Sequence, residues 1–152
     1  MSWICGIDYS THAIDVVYID EDNQRPPQRV RHELKGPDAW ERTRKVRYWQ
    51  LREDSVLAVG LEQPRGHGAG HLYRVQGAIL CQLPQTVLVQ PWLPNEWRKR
   101  VGLPGNAKKD AIAVRTLELV PGALAWPQDA CDAYCIAVAT RQALETQPQP
   151  EA

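Results

Sequence analysis

The sequence predicts an α/β protein built on a mixed β-sheet. Two observations carry this. Three strand-like stretches joined by short turns fill the first 34 residues. Beyond them, helical and strand patterns alternate along the chain. The length, 152 residues, suits one domain that buries a core without metal or disulfide staples.

Residues 3–9 (Trp-Ile-Cys-Gly-Ile-Asp-Tyr) and 13–19 (Ala-Ile-Asp-Val-Val-Tyr-Ile) are rich in β-branched and aromatic side chains, and form the first two predicted strands. Ser10-Thr11-His12 makes a tight hairpin between them, and Asp20 to Pro27 is a polar turn. Gln28–Leu34 predicts a third strand whose charges suit a sheet edge. Gly36-Pro37-Asp38 opens a predicted helix from Ala39 to Glu53, with Trp40, Val46 and Leu51 toward the core. Ser55–Leu61 is a buried strand by its length and apolarity, stopped before Pro64. Gly66 to Gly70 is a flexible joint into a helix over His71–Gln82. Thr86–Val89 is a short strand closed by Pro91. Helices follow over Trp92–Arg100, Lys108–Leu119 and Pro127 to about Thr140, with a loop over 101–106. The last nine residues, 144–152, are polar and expected to be disordered.

Composition narrows the function. At 43% hydrophobic and 24% charged the chain is an ordinary soluble type. It has no run of about 18 apolar residues for a membrane span. Its N-terminus has no basic stretch and Asp8 interrupts it, so no signal peptide is expected. A reducing compartment follows, and the four Cys need not pair. Net charge is zero, from 18 bases and 18 acids, but the signs are segregated. Residues 1–24 hold five acids and no Lys or Arg; residues 25–52 hold nine bases against three acids. Residues 96–115 hold six bases against two acids; residues 118–152 hold five acids and only Arg141. Carboxylates rimmed by cations suit a metal site that handles a polyanion. The structural alternative is a set of solvated faces.

Individual acids point the same way. Asp8 lies at the end of an apolar strand, where a buried carboxylate must be paired, protonated or metal-bound. Glu62 ends the strand before Pro64. Asp129 and Asp132, spaced i, i+3, project from one face at the start of the last helix. Alone, each has a plain alternative: an exposed strand end, a partner for Arg65, or complementation of the helix dipole. Together they are the oxygen donors that Mg²⁺ requires.

Four segments then resemble the RuvC family of Holliday-junction resolvases, within the RNase H-like superfamily. They are Gly6-Ile7-Asp8-Tyr9-Ser10, Gly60-Leu61-Glu62-Gln63-Pro64, the stretch from Gly102 to Ile112 that includes Gly105, Ala107 and Lys109, and Asp129-Ala130-Cys131-Asp132-Ala133. They occur in the family's order and span nearly the whole chain. The resemblance implies a five-stranded mixed sheet flanked by helices, with a nuclease domain over residues 1–143. It implies a homodimer with the helix near His71–Gln82 in the interface. It also implies a cytoplasmic role in a bacterial cell or phage-infected host.

Asp8, Glu62, Asp129 and Asp132 match the family's metal-binding acids, holding Mg²⁺ with Mn²⁺ able to substitute. Lys109 matches its basic residue near the scissile phosphate, with Lys108 beside it. Arg65, Arg98, Lys99 and Arg100 are the candidates for holding the DNA backbone. The implied substrate is a four-way junction or other branched DNA, cut by two-metal hydrolysis. One departure is clear. Many members carry an aromatic residue, often Phe, after the Glu, and this chain has no Phe. Arg65, His67 and Tyr73 are the candidates for stacking on bases. The alternatives are a ribonuclease H-type enzyme acting on RNA–DNA hybrids, a non-catalytic DNA-binding module, and an α/β protein whose acids are structural. Four clustered carboxylates argue against a pure DNA binder.

Other motifs favour plain readings. His67 and His71 are spaced for Zn²⁺ but lack a third ligand. Cys131 and Cys135 on an apolar helix are expected to be core thiols. Trp92, Trp97 and Trp126 are expected in the core or an interface.

Overall fold

Alternation along the strands decides which side chains meet which helix layer. The computed structural model describes residues 1–147. Strands β1 (Trp3–Tyr9), β2 (Ala13–Asp20), β3 (Gln28–Glu33), β4 (Val56–Glu62) and β5 (Leu88–Trp92) form one sheet in the order β3-β2-β1-β4-β5. The first three run antiparallel, and β4 and β5 join parallel to β1, so the sheet is mixed as expected. The charged strand β3 lies at an edge.

Helices α1 (Ala39–Arg44) and α2 (Gly70–Gln82) cover one face, over Trp3, Cys5, Ile7, Ile14, Val16 and Tyr18. Helix α5 (Gln128–Thr146) covers the other, over Ile4, Val17 and Ile19, with α3 (Pro94–Arg100) and α4 (Lys109–Leu119) beside it. Period two therefore puts Asp8, Asp15 and Glu62 on the α5 face of their strands.

Helix α5 lies unusually close to the sheet because the sheet offers it no side chains there. Gly6 and Gly60 are register partners on β1 and β4. A Cβ on Gly6 would run into the Ala133 carbonyl oxygen, and one on Gly60 into the Thr140 hydroxyl. The helix presents a nearly unbroken buried run from Ala133 to Thr140. The Trp92 indole donates to Thr140 Oγ1 (3.0 Å) across this seam. Cys131 and Cys135 are free and buried here, and Trp92 and Trp97 are core residues, as expected. Burial pushes the Cys135 thiol up to about 11.

Four expectations are corrected. The helix expected over 39–53 ends at Arg44 and tightens into a 3-10 turn over Lys45–Tyr48. Val46 and Trp49, at either side of the end of that turn, are both seated in the core. Trp40 is 58% exposed rather than buried, and sits edge-on to His71 with Arg74 over its ring. Pro91 lies inside β5 instead of ending it. The Trp92 carbonyl accepts from the Gln63 N–H (2.8 Å), so Pro91 before it turns its nitrogen outward at the sheet edge and costs no ladder bond. Finally, α5 runs to Thr146, past the end expected near Thr140 and into the expected tail, because Ala143 and Leu144 continue its apolar face. Residues 148–152 of that tail lie outside the described residues.

Candidate metal centre

The site begins with a hairpin. Ser10 Oγ accepts the N–H groups of His12 and Ala13 (3.1 and 3.2 Å), which fixes the turn. That register sets Asp8 opposite Asp15. The next pairing sets Asp15 opposite Arg31 on β3. Parallel pairing of β1 with β4 brings the Glu62 end of β4 alongside, and the first turns of α5 add Asp129 and Asp132 from above.

Of the four acids singled out from sequence, Asp8 and Asp129 come within ligating distance of each other, while Glu62 and Asp132 lie near enough for their charges to act on Asp8 but join no group of three ligating side chains among the described residues. Burial first, then the charges of Asp132, Asp129 and Glu62, holds the Asp8 carboxyl well above the usual carboxylate range. Burial, then Glu62 and Asp129, raises Asp132 to about 6, against the hydrogen bond from Gln128 and the charge of Lys109. Gln128 Nε2 donates to Asp132 Oδ1 at 2.9 Å. Glu62 is fixed from two sides: the Trp97 indole donates to Oε2 (2.7 Å) and the Tyr9 hydroxyl donates to its backbone carbonyl (2.7 Å).

Sequence reasoning missed three members. Asp15, Asp8 and Asp129 each offer an oxygen within 4.8 Å of the others, the tightest acidic triplet among the described residues. Asp15 is buried and paired with Arg31 (2.9 Å), which also reaches Asp129 (3.3 Å). Trp97, on α3, is the third. Asp15 had a signal: a hairpin closed by Ser10 and Ala13 makes Asp8 and Asp15 cross-strand partners. Arg31 and Trp97 had none, since their contacts join distant segments.

The predicted cations are spread differently. Lys109 opens α4, close enough for its charge to act on Asp132. Lys108 caps the same helix and is exposed. Arg98 is turned inward, donating to the Gly105 carbonyl (3.4 Å). Lys99 and Arg100 are exposed on α3. Arg65 is exposed three residues beyond Glu62, before Gly66 and Gly68, both at positive φ. His67 and His71 join no group of three ligating side chains among the described residues.

The donor set fits a hard divalent cation. It is all carboxylate and partly buried, and burial together with neighbouring acids makes two of the acids resist ionisation. A testable consequence follows. A carboxyl that holds its proton more tightly in the folded chain than in the unfolded one favours folding while protonated, and loses that contribution as pH rises. Asp8 and Asp132 are both of this kind. The rise of Asp132 to about 6 corresponds to about 3 kcal/mol. Only the part of that shift above pH 5 is lost between pH 5 and pH 8, about 1.4 kcal/mol from Asp132. Metal-free protein is therefore expected to melt roughly 3–6 °C lower at pH 8 than at pH 5 on this account, and further with Asp8. Mg²⁺, which needs the deprotonated set, raises the midpoint more at pH 8 than at pH 5. Melting curves with and without Mg²⁺ check this; a midpoint blind to Mg²⁺ at pH 8 would remove the metal-site reading.

Trp97→Phe isolates the grip on Glu62. It removes the indole donor, and the Mg²⁺ needed for half-maximal stabilisation is expected to rise about tenfold. An unchanged requirement would mean that the β4 backbone alone aims Glu62.

No family model and no curated protein sequence matches the chain. Among solved structures it is similar to RuvC of Thermus thermophilus, with a TM-score of 0.64 and 19% identity over 94% of this chain and 96% of that one. RuvC of the same organism in complex with a Holliday junction substrate gives 0.69 and 18%, over 96% and 97%. A Fowlpox virus resolvase in complex with substrate Holliday junction DNA gives 0.51 and 13%, over 93% and 98%. The sheet order, the two helix layers and the acids at the strand ends are thus set in a chain with the fold of RuvC.

Proposed function

We propose that this protein is a Mg²⁺-dependent endonuclease that nicks four-way or other branched DNA junctions by phosphodiester hydrolysis, acting as a homodimer in recombination, repair or phage DNA processing. The observation that carries the reading is the cluster at the end of β1, where Asp8 offers an oxygen within 4.8 Å of Asp15 and Asp129 and feels the charges of Glu62 and Asp132. The similar Thermus thermophilus and Fowlpox virus proteins are complexed with Holliday junctions, which supports the same substrate class here.

Asp8, Glu62, Asp129 and Asp132 would hold two divalent ions. Such ions supply a water nucleophile at neutral pH and stabilise the leaving oxygen. Trp97 and Tyr9 aim Glu62, and Gln128 aims Asp132. Lys109 adds positive charge beside Asp132, where charge develops at phosphorus. Lys108, Lys99, Arg100 and Arg65, all exposed, would hold the phosphate backbone. Arg98 serves its loop first. Helix α2 leaves Tyr73 and Leu80 exposed, which supports a dimer contact there. A two-fold dimer sets two sites on a two-fold junction. No helix among the described residues is long and apolar enough to cross a membrane.

The test is nicking of a labelled four-way junction in Mg²⁺, beside a linear duplex and an RNA–DNA hybrid. Paired nicks in the junction are expected. Cutting confined to the hybrid would make the protein a ribonuclease, and tight junction binding without cutting in any divalent ion would leave only a binding module.

A further inference from the structure

We propose that Arg31, anchored by Asp15, positions Asp129 for metal binding, so that an ion pair on the outer strands completes the metal centre. The inference rests on reading the acid cluster as that centre.

Three residues form one row across the sheet: Asp8 on β1, Asp15 opposite it on β2, and Arg31 opposite that on β3. All three point to the face covered by α5, and Asp129 descends onto the row from the helix start. Arg31 Nη1 donates to Asp15 Oδ2 (2.9 Å) and to Asp129 Oδ2 (3.3 Å). One nitrogen with two hydrogens therefore serves both carboxylates. Asp15 is the buried partner, its side chain only 8% exposed, whereas that of Asp129 is 48% exposed. A half-exposed carboxylate in the first turn of a helix is free to swing unless something holds it. Arg31 holds one oxygen and leaves Oδ1 for a metal. Carboxylate ligands of metals are commonly braced in this way through a hydrogen bond to the ligand.

Charge explains why Asp15 is needed. A bare guanidinium beside the centre would repel the cations it is meant to help seat. Paired with Asp15, Arg31 keeps its donors and adds no net charge. Asp15 makes the shorter and more buried of the two Arg31 contacts, which makes it the anchor of the pair even though it belongs to the tightest triplet.

The experiment is titration of the metal-free protein with Mn²⁺, followed by the electron paramagnetic resonance signal of the free ion, with no DNA present. Arg31→Gln and Asp15→Asn are each expected to weaken Mn²⁺ binding about 10–100-fold. The double variant should be little weaker than either single one, because the two act as a unit. Arg31→Lys, which keeps a charge but not the planar fork, should restore part of the loss. Tighter binding by Arg31→Gln would overturn the proposal, since Arg31 would then be a competitor for the site. A loss in Asp15→Asn with none in Arg31→Gln would overturn it too, since Asp15 would then be a ligand in its own right. Equal affinities throughout would also refute it. Metal-free melting curves show whether each variant folds; if Arg31→Gln does not, Arg31→Lys and Asp15→Asn decide. Wild-type protein that binds Mn²⁺ and cuts no DNA would refute the proposed function while leaving this titration able to decide.

Discussion

Asp8→Asn is expected to lower junction nicking by about 10³-fold or more while raising the melting point of the metal-free protein at pH 8. Both effects come from one carboxylate. Burial and three neighbouring acids keep Asp8 reluctant to ionise, so ionising it works against an unfavourable field. Asparagine keeps the shape and removes the charge, which relieves the repulsion. The same removal deletes the central donor of the candidate metal centre. Several kcal/mol of barrier lowering by metal ions corresponds to about a thousandfold or more in rate. Opposite movement of activity and stability separates this result from misfolding, which would lower both. A variant that nicks within about tenfold of wild type would show that Asp8 is structural. One that melts lower without metal would show that its ionised form is satisfied in some other way.

Gly6→Ala is expected to destabilise the protein by about 3–5 kcal/mol, a large share of a typical total stability. The added methyl meets the Ala133 carbonyl and the Ala137 amide, which are backbone of α5 and have no rotamer to give. The helix must lift off the sheet. Because Asp129 and Asp132 ride on its first turns, Mg²⁺-induced stabilisation should fall as well. Gly60→Ala provides the comparison. Its methyl meets the Thr140 and Ile136 side chains, which can turn away at the expense of the Trp92–Thr140 hydrogen bond. It should cost less. Urea unfolding of the three proteins checks the order; equal stability of Gly6→Ala and wild type would mean that α5 does not sit as closely as the structure places it.

Legibility in the sequence followed range. Strands β1, β2 and β4 and the helices near 71–82 and 109–119 were readable because each is declared by its own residues: apolar alternation, or periodic stretches bounded by Gly and Pro. The end of α1 was not readable, since Lys45–Tyr48 tightens to seat Val46 and Trp49 in a core assembled from other segments. Pro91 reads as a stop from its neighbours alone, because its position at an outer edge is a property of the sheet, not of the pentapeptide. The exposure of Trp40 belongs with these, for its partners His71 and Arg74 come from α2.

The candidate site divides the same way. The fold class, the edge character of β3, and the four acids at strand ends and a helix start are legible locally, because a carboxylate closing an apolar run is costly enough to stand out. What surrounds them comes from packing between distant segments. Trp97 reaches Glu62 across 35 residues and Arg31 reaches Asp129 across 98. Such contacts leave no periodic trace in the chain, since they depend on strand register and on how closely two glycines let one helix approach the sheet.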